Sequence, residues 1–268
     1  MTASSEPTAR AQSIIRALSL PQSCRVDQRV PKKLLLENGA PTAADKRLIT
    51  EAIEEIQWVA ALKPNTIGVP DYRDAVREYL EVAVLTITLK AAIKPAGRSR
   101  LAELLHRAVP YPVLLLMSDE QEVNLSLAHK RWAQKEAGKV VLDGDLASAA
   151  LSASPPENAD QADAERAFIE SMSVARQPQA SLQVFYQSWM DRIHALLAAR
   201  FTGSYRPTNN PEQAAARRQA LMECERLEDE SSRLRALAAK EKQLARQVEL
   251  NLALQRVQAE LVAACKQL

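Results

Sequence analysis

Histidines, cysteines and a scatter of lysines and acids are the residues of this chain that could carry chemistry, and their spacing argues against most of it. His106, His129 and His194 stand in unrelated segments without metal-ligand spacing. Cys24, Cys224 and Cys265 are odd in number, lie far apart, and make neither a zinc knuckle nor a redox pair in sequence. No disulfide framework, metal or cofactor is expected. The glycines form no GxxxxGK or GxGxxG phosphate loop, and no serine sits in a nucleophile elbow. A restriction-type nuclease needs two acids and a lysine, with an acid-x-Lys on the strand after the first acid. Pro70-Asp71 offers the opening, but "EVAVLTITLK" has no acid two residues before Lys90. No catalytic set is predicted. The alternative, a nuclease or nucleotide-processing enzyme, would have to use Lys33, Glu81 and Lys130.

A second group is basic. Lys32, Lys33, Lys63, Lys130 and Arg131 fall at the ends of predicted elements, with Glu81 as a possible acidic site residue. Gathered on one rim of a sheet, they would grip phosphates. Scattered, they are ordinary solvated strand and helix ends. The balance of 35 basic and 33 acidic side chains gives no bulk attraction to nucleic acid, and neither half is one-signed.

The elements that must position these residues are read from periodicity. An apolar content of 47% with only 4% aromatic predicts a core of Leu, Val, Ile and Ala. "ARAQSIIRALSLP" is a short amphipathic helix, and "VPKKLLLENG" is a helix or a strand. Thr42 with Asp45 approximates a capping box, and Ile49, Ile53, Ile56 and Ala60 recur at helical intervals, so a helix is predicted over 43–61. "EVAVLTITLK" is β-rich and apolar on both faces, which suits a central strand. "GRSRLAELLHRAV" reads as a helix. "YPVLLLM" and "EVNLSLAHKRW" read as strands joined at "SDEQ", with "KVVLDGD" as a fourth strand. The fold class is therefore α+β: a small mixed sheet with packed helices, then an all-helical C-terminal region. The predicted divisions are a head at 1–147, a linker or exposed loop at 148–160, a helical region at 161–208 and one long coiled-coil-like helix at 209–268.

That last segment has no glycine, and its one proline, Pro211, suits a first helical turn. Leu227, Leu234, Leu237, Leu244 and Val248 fit heptad positions a and d, with Glu241 as a polar interruption. After Val248 the phase slips, and Leu250, Leu254, Val257, Leu261, Ala264 and Leu268 restart the spacing on a shifted face. An exposed helix of this length would leave its stripe in water. The stripe must fold back within the chain, pair with a second copy, or dock another protein. The predicted partner surface is Leu227, Leu234, Leu237, Leu244, Val248, Leu254, Val257 and Leu261. The longest apolar run, "PYPVLLLM", is too short to span a bilayer, and "MTASSEPTARAQ" does not read as a secretory signal. A cytoplasmic protein without membrane contact is expected.

Five segments follow one another in a telling order: "VPKKLLLENG", "ITEAIEEIQWVAALKPNTIGVP", "REYLEVAVLTITLK", "LLHRAVPYPVLLLM" and "VNLSLAHKRWAQ". This order resembles an uncharacterised bacterial family, domain of unknown function 4391, over about residues 20–140, and "RQVELNLALQRVQAEL" is similar to the tail of its longer members. Val30 and Val109 replace the usual Ile, a packing change only. By position, Lys32, Lys33, Lys63, Glu81 and Lys130 match family residues that have no assigned role. The resemblance implies an association with restriction-type helicases and DNA methyltransferases in defence clusters. The expected function is a non-catalytic accessory or scaffold subunit of such a system. It would bind a helicase or methyltransferase subunit, or a second copy through the C-terminal helix, and possible DNA.

Overall fold

The computed structural model describes residues 8–133 and 140–268. Helix α1 (Ala9–Ala17) is capped by Thr8, whose hydroxyl accepts from the Ala11 amide, and leads to strand β1 (Arg25–Arg29). "VPKKLLLENG" resolves as helix α2 (Lys32–Asn38), stopped at Gly39. A Cβ on Gly39 would lie 2.7 Å from that of Ala108. Gly39→Ala is therefore expected to cost about 1–3 kcal/mol by overpacking, read as a lowered denaturation midpoint.

Thr42 caps helix α3 (Ala43–Ala52), but the predicted helix to residue 61 is wrong: from Ile53 the chain is strand β2 (Ile53–Leu62). The reason is a pair of bulges, between Ile53 and Glu55 and between Trp58 and Ala60. A bulge adds a residue and lets two side chains three apart share a face. Ile53 and Ile56 thus both enter one core, a spacing that imitates a helix.

Helix α4 (Pro64–Ile67) and the small hairpin β3 (Tyr72–Arg73) and β4 (Glu78–Tyr79) precede the long strand β5 (Val82–Leu89). Helix α5 (Pro95–Ala108) crosses over to β6 (Val113–Ser118), which turns through Asp119 into β7 (Glu122–Trp132). The turn is held by Asp119 Oδ1, which accepts from the amides of Gln121 and Glu122 at 2.8 and 3.0 Å. Strand β8 (Val140–Ser152) is longer than predicted and takes in the first part of the expected linker, leaving only 153–158 irregular. Small residues hid it: Ala147, Ala149 and Leu151 alternate inward, a period carried mostly by alanine. Gly144, at φ 80°, sits where the β7–β8 register shifts.

The sheet order is β1-β2-β5-β6-β7-β8, with β5 and β6 parallel and every other pair antiparallel. This is the α+β class expected, with β5 central. One face carries Ile53, Ile56, Leu85, Ile87, Leu115 and Met117 against Leu35, Ile49, Leu101, Leu104 and Leu105 of α2, α3 and α5. The alternate residues Val82, Val84, Leu114, Leu116 and Leu125 are as deeply buried on the other face.

Helices α6 (Ala159–Ser171) and α7 (Leu182–Thr202) follow, and Gly203, at φ 73°, ends α7 as expected. Compact units meet within α7, at Ile193/His194, so α6 and the first half of α7 belong with the sheet. Tyr186 explains this. Its hydroxyl accepts from the Ala128 amide at 2.9 Å and bonds the Val113 carbonyl at 2.8 Å. Trp189 is fully buried and donates to the Met172 carbonyl at 2.8 Å.

The second unit contains α8 (Pro211–Lys240) and α9 (Leu244–Cys265), not one long helix. Asn210 caps α8, accepting from the Glu212 and Gln213 amides. The break falls at Glu241, the polar residue in the a position, whose carboxylate accepts from the amides of Lys242 and Gln243 at 2.7 and 2.9 Å. The chain doubles back into a hairpin, with Gln247 donating to the Ala238 carbonyl at 3.3 Å. Among the described residues no helix is long and apolar enough to cross a membrane.

Candidate functional site

At the end of the sheet where β5 begins, Glu81 is buried and pairs through Oε2 with Lys63 at 3.0 Å. Its Oε1 has no hydrogen-bond partner among the described residues. Lys63 is set by α4, where its amide donates to Thr66 Oγ1 at 2.8 Å. At the same end, Lys130 of β7 is only 3% exposed and directs its ammonium at the carbonyls of Val109 and Tyr111. Burial pushes its pKa down from 10.5 to about 7. His106 of α5 feels the Lys130 charge, and its Nε2 bonds Ser126 Oγ at 3.0 Å. Burial first, and the Lys130 charge second, push His106 down to about 3. Arg131 pairs with Asp143 at 3.5 Å, an acid it shares with Arg77.

Lys32 and Lys33 lie at the opposite end of the sheet. Lys32 donates to the Ile53 carbonyl, and Ile53 is paired with Leu89, the last residue of β5. Burial, then the charges of Lys90 and Arg29, lower the Lys32 pKa. Lys33 reaches Glu37 one turn on at 3.6 Å. The eight residues of β5 separate the two ends by about 26 Å. The predicted rim is thus divided, with Lys63, Lys130, Arg131 and Glu81 at one end and Lys32 and Lys33 at the other. The set Lys33, Glu81 and Lys130 is not brought into one cleft. Each of the five predicted phosphate-gripping cations already holds a carboxylate or a backbone carbonyl.

A groove of about 900 Å³ opens between α5 and the β7–β8 end of the sheet, floored by Asn124, Ser148 and Ala150. Its arginines are committed as well. Arg98 is buried and clamps Asp119 at 2.8 Å and Glu122, while Arg100 holds Asp45 and Glu103 at 2.9 and 2.7 Å. Hydrogen bonds from Arg100 first, and Thr42 second, hold the Asp45 carboxyl down at about 2. Among the described residues no group of three or more His, Cys, Asp or Glu could hold a metal ion.

The hairpin sorts the predicted partner stripe into two faces. Leu227 and Leu234 are buried in α8 together with Leu221, Cys224 and Ala238. Leu254, Val257 and Leu261 of α9 are half-buried and supply the other side of this seam. The turn of the hairpin falls at the polar interruption, Glu241, while the phase slip after Val248 lies within α9. Leu237, Leu244 and Val248 stay outside, at 44%, 76% and 50% exposure. Leu252, which the heptad reading passed over, joins them at 51%, one further turn along α9. Its i, i+4, i+8 spacing from Leu244 through Val248 was the available signal. No residue of α9 is fully buried, although eight of its residues are Leu or Val.

No curated protein and no solved structure matches the chain. A family model does, over residues 18–261, which takes in the sheet, the helices on it and nearly all of the hairpin. The chain is therefore a member of the family described as domain of unknown function DUF4391.

Proposed function

We propose that this protein is a non-catalytic accessory subunit of a bacterial restriction-type DNA-defence system, and that the α8–α9 hairpin docks its partner protein, a helicase or DNA methyltransferase subunit. The observation that carries the reading is the outer face of α9. Leu244, Val248 and Leu252 form a row of apolar side chains half or more exposed, on a helix whose other face is occupied by α8. Contiguous exposed apolar surface of this kind marks a protein–protein contact. Lys32, Lys33, Lys63, Lys130 and Arg131 are engaged within the fold, which supports a protein partner over DNA.

The test is the double variant Leu244→Asp with Leu252→Asp in the tagged full chain, purified from its native host. A leucine buried on binding contributes about 1.5–3 kcal/mol, so losing two should weaken capture by 100-fold or more. Both positions are solvent-exposed in the fold, so helicity and melting temperature should stay as in the wild type. Undiminished capture of the partner would overturn the assignment of this face. Concentration-dependent dimerisation that the same variant abolishes would instead identify a second copy as the occupant.

A further inference from the structure

We infer that Cys224 and Cys265 are a thiol–disulfide pair, a modification site at the open end of the hairpin that takes a low-molecular-weight disulfide as its oxidant. The two residues are 41 apart in sequence, yet the antiparallel return of α9 brings their sulfurs to 3.7 Å. A disulfide bond is about 2.05 Å long, so the sulfurs need to close by about 1.6 Å, within reach of small side-chain adjustments on two adjacent helices. Cys224 is buried in the α8–α9 seam and Cys265 is partly exposed. That difference orders the chemistry. The accessible Cys265 thiolate attacks one sulfur of the small disulfide, whose S–S bond breaks. One thiolate leaves and takes up a proton. Cys224 then gives up its proton and attacks Cys265 Sγ in the mixed disulfide, expelling the second small thiolate. Two protein thiols are oxidised to one disulfide, and one small disulfide is reduced to two thiols.

The surroundings support the assignment of roles. Burial, and then the neighbouring Cys265 thiol, push Cys224 well above its ordinary pKa, which suits a resolving thiol that reacts only once a mixed disulfide is beside it. Cys24, the remaining cysteine, is buried and directs its thiol at the Pro21 carbonyl at 3.0 Å. The turn at 241–243 already closes one end of the hairpin, so the bond would staple the other. The inference does not depend on the partner proposed above.

The experiment uses the full chain, reduced and then exposed to oxidised glutathione over a range of pH. The free thiols, counted after quenching and denaturation, should fall from three to one, with a mass loss of two hydrogens and a Cys224–Cys265 cross-linked peptide. The rate should rise with pH, because the thiolate and not the thiol is the nucleophile in each exchange step. The oxidised protein should melt about 10 °C or more above the reduced one, because a loop of this length is constrained in the unfolded chain. Cys265→Ser should abolish the reaction, and Cys224→Ala should stop it at a stable glutathione adduct on Cys265. Such an adduct persisting in the wild type, a covalent dimer on a non-reducing gel, or three thiols surviving would each overturn the inference.

Discussion

Unfolding experiments at a series of pH values should show two rising limbs of stability, one from about pH 3 to 6.5 and one above about pH 7. The first belongs to His106. Its folded pKa of about 3 lies below the ordinary 6.5, so between these values the unfolded chain binds a proton that the folded chain refuses. Stability is therefore complete above about 6.5 and is lost as the pH falls towards 3. The second belongs to Lys130, depressed from 10.5 to about 7, for which the same sign holds: stability rises with pH from about 7 towards 10.5. Each displacement corresponds to an effect on the order of 4–5 kcal/mol if fully realised. Buried Tyr79 and Tyr186 and Cys224, all raised, act in the opposite sense at the alkaline end, so the second limb is best read between pH 7 and 9. His106→Gln should flatten the acid limb and Lys130→Met the alkaline one. A wild-type profile without the alkaline limb, or a limb that survives in Lys130→Met, would show that the ammonium is solvated.

Leu227→Asp should melt the hairpin. Leu227 is 1% exposed in the α8–α9 seam, so the change removes about 1.5–3 kcal/mol of apolar burial and adds the cost of an unpaired buried carboxylate. A total above about 4 kcal/mol is expected. All three tryptophans, Trp58, Trp132 and Trp189, precede His194, where the second unit begins, so they report on the first unit alone. The variant should lose far-UV helical signal while the tryptophan near-UV signal persists. Loss of both together would mean that the two units unfold as one. Leu237→Asp, at an exposed position of the same helix, is the control and should leave helicity intact.

The sequence was informative where one period acted alone. β5, β6 and β7 are apolar runs bounded by breakers, and α5 carries a clean amphipathic pattern, so their types and the α+β class could be read directly. It misled at Ile53 and Ile56, because a bulged strand and a helix both bring residues three apart onto one face. It fell silent over 148–152, because alanine marks a buried position only weakly. In the tail it contained both the seam and the break, but heptad counting carried one helix straight through Glu241, because a polar residue at an a position interrupts a stripe without showing that the chain reverses.

The site residues divide on the same principle. Residue type and spacing in the sequence excluded phosphate loops and nucleophile elbows, and marked the tail as a surface needing cover. Family membership was legible in the order of its segments. Only the tertiary structure decided that Lys130 spends its charge on two carbonyls, that Lys32 and Lys33 stand a strand's length from Glu81, and that Leu244 and Val248 face outward while Leu227 and Leu234 do not. It alone brought Cys224 to Cys265. The physical reason is that periodicity is a local property of the chain, set by 3.6 residues per helical turn and two per strand repeat. Burial, ion pairing and pKa arise from contacts between distant segments, which depend on where the chain bulges and where it turns back.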